Sequence, residues 1–234
     1  MPDRPGALML FAAGFGTRMG ALTAHRPKPL IEVAGRALID HALLQAEPLA
    51  LRRIVVNLHY LPDQIRAHLA GRADIRFAAE PDEILETGGG LRAALPLLGP
   101  GPVFTLNTDA VWAGQNPLAQ LLSAWDPARM DALLLLLPAP QAKGFAGTGD
   151  FVLDGEGRIA RAKGAPGLAY LGAQILRTDR LAEIPDRVFS LNRLWDMAIA
   201  EGRAFGHVHQ GGWCDVGHPG GIAMAEALLA NDDV

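Results

Sequence analysis

The sequence predicts an α/β protein with a Rossmann-like, mixed but mostly parallel sheet flanked by helices. Three observations predict it. Short apolar runs alternate with segments of helical spacing through the first half of the chain. Several of those runs are apolar at every position, as strands covered on both faces are. The first run ends at glycine, and strands and helices then follow one another in the βαβ manner.

The elements follow in order. Residues 7–13, Ala-Leu-Met-Leu-Phe-Ala-Ala, read as a buried first strand. Residues 38–49 have helical spacing, and 53–58 read as the next strand. Residues 61–69 read as a helix whose wet face carries Asp63, Gln64 and Arg66. A strand at 75–79, a helix at 87–98 opened by Gly88-Gly89-Gly90, a strand at 103–106, a helix at 118–125 and a strand at 132–137 complete this half. The second half changes character. Residues 149–153 and 158–162 flank Asp154-Gly155-Glu156-Gly157, a hairpin signal. A strand at 168–176, a helix at 191–201, a strand at 204–209 and a closing helix at 220–230 follow, and residues 138–149 read as the most mobile loop. With no internal repeat, low-complexity tract or linker, residues 1–234 read as a single domain.

Composition bounds the function. Half the residues are hydrophobic and a fifth are charged, enough for a sizeable core. A net charge of -4 argues against a broad nucleic-acid or membrane surface, while leaving room for a local basic loop that binds a small anion. The single cysteine, Cys214, has no internal disulfide partner, which suits a reducing cytosol. Met1-Pro2-Asp3-Arg4-Pro5 lacks a secretory pattern, and the apolar run at 132–137 is too short to span a bilayer. A soluble cytoplasmic protein is expected. Neither composition nor motif specifies an oligomeric state.

The loop after the first strand carries the chemistry. Gly14, Gly16 and Gly20 thin the backbone so that amide N–H groups can approach phosphate oxygens, and Arg18 and Lys28 add positive charge. Pro27 and Pro29 stiffen the surroundings of Lys28. By itself this reads equally as a glycine-rich turn. The spacing Gly-x-Gly-x-x-x-Gly is not the dinucleotide fingerprint, and the Gly-Lys-Ser/Thr end of a P-loop is missing. Two carboxylates stand out, Asp109 after the strand at 103–106 and Asp215 in Gly211-Gly212-Trp213-Cys214-Asp215. Alone, each also reads as a turn or capping aspartate. His207 and His209 share one face of a strand but have no evident third metal ligand, Cys214 reads as a small buried hydrophobe, and no Gly-x-Ser-x-Gly elbow is present.

The run Leu10-Phe11-Ala12-Ala13-Gly14-Phe15-Gly16-Thr17-Arg18-Met19, followed by Leu22-Thr23 and Pro27-Lys28-Pro29-Leu30, resembles the signature of the sugar-1-phosphate nucleotidyltransferases. Gly20 and Ala21 depart from it, where relatives often carry Arg-Pro. Leu85-Glu86-Thr87-Gly88-Gly89-Gly90, with Ala-Leu-Pro-Leu-Leu-Gly after it, resembles the short N-acetylmuramate-1-phosphate uridylyltransferases within that family. The resemblance implies the nucleotide-diphospho-sugar transferase fold, with a nucleotide-binding half near 1–137 and a sugar-phosphate half near 138–234. It implies that Ala12, Ala13, Gly14, Gly16, Thr17, Arg18 and Lys28 hold the triphosphate of UTP. Glu80, Glu86, Thr87 and Gly88 would recognise base and ribose, and Asn107 would also bind the nucleotide. Thr87 is also expected to cap its helix, whose glycines would expose N–H donors.

The same resemblance makes Asp109 and Asp215 ligands of Mg²⁺, with Arg18, Lys28 and Asp109 catalytic. It implies a sugar 1-phosphate acceptor met by Gly149, Asp150, Lys163 and Asn192, while Trp195 reads more safely as core. Thr108 stands where relatives commonly have glycine, which puts a side chain beside the expected ribose and acceptor; His218 replaces a common threonine. Guanylyl transfer to mannose 1-phosphate, cytidylyl transfer to phosphocholine, and a catalytically silent nucleotide-sugar sensor are the competing readings.

Overall fold

Alternating burial along the first strand sets the layers. In β1 (Ala7–Phe11), Leu8 and Leu10 face one way and Ala7 and Met9 the other, and all four are buried. The computed structural model describes residues 3–231; Met1 and Pro2 of the N-terminal pattern, and residues 232–234, lie outside the described residues.

After β1, a 3₁₀ segment spans Thr17–Thr23 and another Lys28–Leu30. A two-residue ladder pairs β2 (Glu32–Val33) with β3 (Arg36–Ala37). There follow α1 (Leu38–Ala46), β4 (Arg53–Leu58), α2 (Pro62–His68), β5 (Ile75–Ala79), α3 (Glu86–Leu98), β6 (Val103–Asn107), β7 (Ala110–Gly114), α4 (Pro117–Ala124) and β8 (Ala132–Pro138). The second half gives β9 (Phe151–Leu153), β10 (Ile159–Arg161), β11 (Leu168–Leu176), α5 (Asn192–Ala200), β12 (Ala204–Val208), β13 (Gly211–Asp215) and α6 (Gly220–Ala230).

One nine-stranded sheet runs through both halves. Its first-half strands β5, β4, β1 and β6 are mutually parallel. β11 joins antiparallel beside β6 and carries β8 antiparallel, with β12 parallel on the outside. The β9–β10 hairpin forms as the glycine-rich turn predicts. One face packs on α1, α2 and α4 through residues such as Ile39, Ile65 and Leu121, the other on α3 and α5 through Leu91, Leu98 and Trp195. A third cluster joins Met19, Val111, Cys214, Val216 and Leu228. It fixes the loop after β1 against an antiparallel ribbon of β7 and β13, which the sequence reading did not contain. Among the described residues no helix is long and apolar enough to cross a membrane. The 138–149 stretch is tied down at both ends and in the middle: Ala139 N–H donates to Gly167 O at 3.1 Å, Gly167 N–H to Thr148 O at 3.0 Å, and Asp215 N–H to Lys143 O at 2.9 Å.

A buried polar chain crosses the sheet face under α5. The Trp195 indole N–H donates to Gln174 Oε1 at 2.7 Å, and Gln174 Nε2 donates to Thr105 Oγ1 at 2.9 Å. Gln174 and Thr105 are fully buried. Gln174→Leu, which removes that partner from both, is expected to cost about 2–3 kcal/mol of stability in urea unfolding.

Candidate active site

The parallel strands end at a cavity of about 420 Å³, within the usual range for a small-molecule site. Ala12, Ala13, Gly14, Gly16, Thr17 and Arg18 form one wall, and Lys28, Asn107 and Asp109 the floor. Ile84, Glu86, Thr87 and Ser190 form the opposite wall. The carboxyl ends of β1 and β6 thus meet the start of α3, as the crevice rule for open α/β sheets expects.

The glycine loop is built for its path. Gly16 has φ 66°, and a Cβ there would stand 2.9 Å from Lys28 Cβ and 3.0 Å from Thr23 Cγ2. The loop therefore closes directly on the stem of Lys28. Thr23 Oγ1 donates to Gly16 O at 3.0 Å and holds the turn. Phe15, largely exposed, meets the rings of His59 and Tyr60 edge-on at 5.4 and 5.6 Å.

Lys28 is buried, and its Nζ lies 2.8 Å from Asp109 Oδ2. Asp109 occupies the tight turn between β6 and β7. Asp215 ends β13, and the ribbon brings it beside Asp109: Ala110 is in register with Asp215, and Val216 N–H donates to Asp109 O at 2.8 Å. Burial first, and then the charge of Asp109, raises the Asp215 carboxyl above the usual carboxylate range, with Lys28 and Arg18 opposing. A half-buried carboxylate whose charge is disfavoured by desolvation and by its neighbour Asp109 is one that a bound cation would stabilise. Among the described residues no group of three or more His, Cys, Asp and Glu clusters for a metal. The donor set therefore suits an ion that takes one or two carboxylates and completes its shell from water and phosphate, as Mg²⁺ does.

Several residues stand differently from expectation. Glu80 is 2 % exposed and off the cavity wall; its oxygens accept from Asn57 Nδ2 at 2.7 Å and from Leu85 N–H at 2.9 Å. Gly88 and Gly89 present no free N–H donors, because both donate to Phe189 O, at 2.9 and 3.0 Å. Their missing side chains make room for Phe189 and Arg187, so the glycine run serves packing. Thr87 does not cap α3: it lies inside the helix, and its Oγ1 accepts from Leu191 N–H at 3.0 Å. Thr108 lines the cavity, but its hydroxyl is turned back into the sheet. It is 2 % exposed and its Oγ1 donates back to Phe11 O at 2.7 Å. Glu86 does line the cavity, at φ 58°, a left-handed conformation unusual for a non-glycine residue.

The acceptor residues are not brought to this cavity. Asp150 Oδ2 accepts from Tyr170 N–H at 2.8 Å, Gly149 abuts Gly167, Lys163 is exposed in a turn, and Asn192 Nδ2 donates to Ser190 Oγ at 2.9 Å. Ser190 reaches the cavity instead, and sequence reasoning missed it, as it missed Asn57 and Ile84. Trp195 is core. His209 lies past the end of β12, with Nδ1 2.9 Å from Gln120 Nε2. Cys214 is fully buried, and burial, helped by the charge of Asp215, pushes its thiol up to about 11.

Comparison with known proteins agrees with this architecture. A model of the MobA-like NTP transferase domain matches residues 8–142. The chain is 42% identical, over 98% of its length and 99% of the relative's, to a Caulobacter vibrioides protein named N-acetylmuramate alpha-1-phosphate uridylyltransferase. A Neisseria meningitidis serogroup B protein of the same name is 33% identical over 94% of this chain and 96% of its own. Among solved structures, a UDP-glucose pyrophosphorylase complexed with UDP-glucose superposes with a TM-score of 0.77 at 16% identity, covering 95% of this chain and 97% of that one. HddC from Yersinia pseudotuberculosis, complexed with GMP-PN, gives 0.74 at 19% identity over 94% and 98%. Those two likenesses concern the fold alone.

Proposed function

The chain belongs to the MobA-like NTP transferase family, and on that premise we propose that it transfers a uridylyl group from UTP to N-acetylmuramate 1-phosphate, releasing pyrophosphate. The observation that carries the reading is the Lys28–Asp109 pair at 2.8 Å, set in a cavity walled by the glycine loop. A basic residue, a carboxylate and thin backbone at one cleft suit the transfer of a phosphoryl-linked group between two anions. The full-length likeness to relatives of that name supports the choice of base and sugar.

In this reading the first half of the chain binds the nucleotide. N–H groups of the Gly14–Gly16 segment face the triphosphate, and Arg18 and Lys28 offset charge that develops on the departing pyrophosphate. Glu86, Thr87 and Asn107 stand toward base and ribose, and Ser190 joins them on the α3 side. The acceptor phosphate is already ionised, so no side chain need act as a base; the chain's task is to hold two mutually repelling anions in line. Asp109 and Asp215 would hold Mg²⁺, which would supply positive charge to offset that of the phosphates. Of the residues assigned to the acceptor, Asn192 is linked to the cavity wall through its bond to Ser190. A nucleoside triphosphate donor and a lone buried thiol suit the cytoplasm, with recycling of cell-wall sugars as the role.

A pyrophosphate-release screen of four nucleoside triphosphates against a panel of sugar 1-phosphates tests this. UTP with N-acetylmuramate 1-phosphate is expected to be the fastest pair in the presence of Mg²⁺. A faster pair, or no release from any, overturns the assignment.

A further inference from the structure

The two walls of the cavity are joined by a pair of buried side chains, one of which, Asn57, lines the cavity while the other, Glu80, lies behind it. Asn57, in β4, is 4 % exposed, and its Oδ1 accepts from Ala12 N–H at 2.7 Å. Its Nδ2 donates to Glu80 Oε1 at 2.7 Å, and Glu80 Oε2 accepts from Leu85 N–H at 2.9 Å. Ala12 belongs to the glycine-loop wall, and Leu85 sits between Ile84 and Glu86 on the α3 wall. Gly90 covers the pair: a Cβ there would fall 2.8 Å from Glu80 Oε1 and 3.1 Å from Asn57 Nδ2.

Donor and acceptor roles along this path are forced. Both ends are backbone N–H groups, which only donate. The Ala12 end fixes the Asn57 oxygen, so the Asn57 amide nitrogen points at Glu80. Glu80 must then accept at both oxygens, which a carboxylate does and a carboxamide cannot. We infer that Asn57 and Glu80 are positioning residues, a relay that sets the spacing between the triphosphate loop and the α3 wall. The relay deepens the function proposed above and rests on it. Glu80 does not line the cavity, and both polar ends of the Asn57 side chain are already engaged, by Ala12 N–H and by Glu80. Small displacements of one wall against the other cost rate because in-line transfer depends on the alignment of the two anions.

The forced polarity supplies the test. Glu80→Gln sets an amide N–H against another donor, either at Leu85 or at Asn57. Asn57→Asp sets an oxygen against a Glu80 oxygen. Each single variant is expected to lose roughly 10- to 100-fold in kcat/KM at temperatures where it remains folded by circular dichroism. The double variant N57D/E80Q restores every bond with the middle one reversed. The carboxylate introduced at position 57 accepts from Ala12 N–H and from the amide introduced at position 80, whose own oxygen accepts from Leu85 N–H. This variant is expected to recover kcat/KM to within about fivefold of wild type, a strong positive coupling in the double-mutant cycle. Preference among the four nucleoside triphosphates should stay that of wild type throughout.

Three outcomes overturn the relay: a double variant as impaired as the product of the singles, single variants that lose melting temperature but keep kcat and KM, or an E80Q enzyme whose base preference changes and is not rescued. Failure of the function itself is read separately. A wild-type protein that releases no pyrophosphate from UTP and N-acetylmuramate 1-phosphate refutes the proposed reaction, whereas an active wild type with uncoupled variants refutes only the relay.

Discussion

Asp109→Asn is expected to lower kcat about 10³-fold, while the unfolding free energy stays within about 1–2 kcal/mol of wild type. The substitution keeps the size of the side chain in the β6–β7 turn and leaves the ribbon bond from Val216 N–H to Asp109 O intact. It removes the charge that faces Lys28 and that stands beside Asp215. An amide still accepts from Lys28, so the fold loses little. It is a poor ligand for a hard cation that prefers carboxylate and phosphate oxygen. Steady-state kinetics across a Mg²⁺ titration, paired with urea unfolding, checks both halves of this expectation. Turnover near wild type would remove Asp109 from its role.

The second large effect is expected at Lys28. Lys28→Met retains the methylene stem that packs under Gly16 and deletes only the ammonium. We expect kcat/KM to fall roughly 10²–10³-fold, with the loss mainly in kcat, because a cation aimed at developing charge contributes most in the transition state. The stability change should be small, since a largely buried charge leaves together with its pairing to Asp109. Separate kcat and KM values for UTP decide it: a rise in KM alone would make Lys28 a ground-state anchor.

The regular elements of the chain were legible because their signals are local. The boundaries of β5, β11 and α6 fall where periodicity puts them. The β7–β13 ribbon was not legible, for two reasons. β7 is only five residues long and follows β6 after the two-residue turn Thr108-Asp109 without a helix between them, and β13 opens with Gly211-Gly212, poor strand formers. The glycine loop, Lys28 and the two aspartates were visible as residue types in order. Which polar side chains turn inward was not visible, because that depends on partners distant in sequence. Glu80 meets Asn57 across two parallel strands, and Thr108 meets a carbonyl on β1. The same limit hid Ser190, which reaches the cavity only because Gly88 and Gly89 let its segment lie on α3.

The β7–β13 ribbon also sets an order of events during synthesis. It pairs positions about a hundred residues apart, and the partner of Ala110 leaves the ribosome several seconds later, at roughly 5–20 residues per second. A growing chain that has passed β6 already possesses the glycine loop, Lys28 and the start of α3, but not Ser190. Asp215 has not yet arrived. If Asp215 serves as proposed, turnover is expected to begin only once β13 has docked on β7.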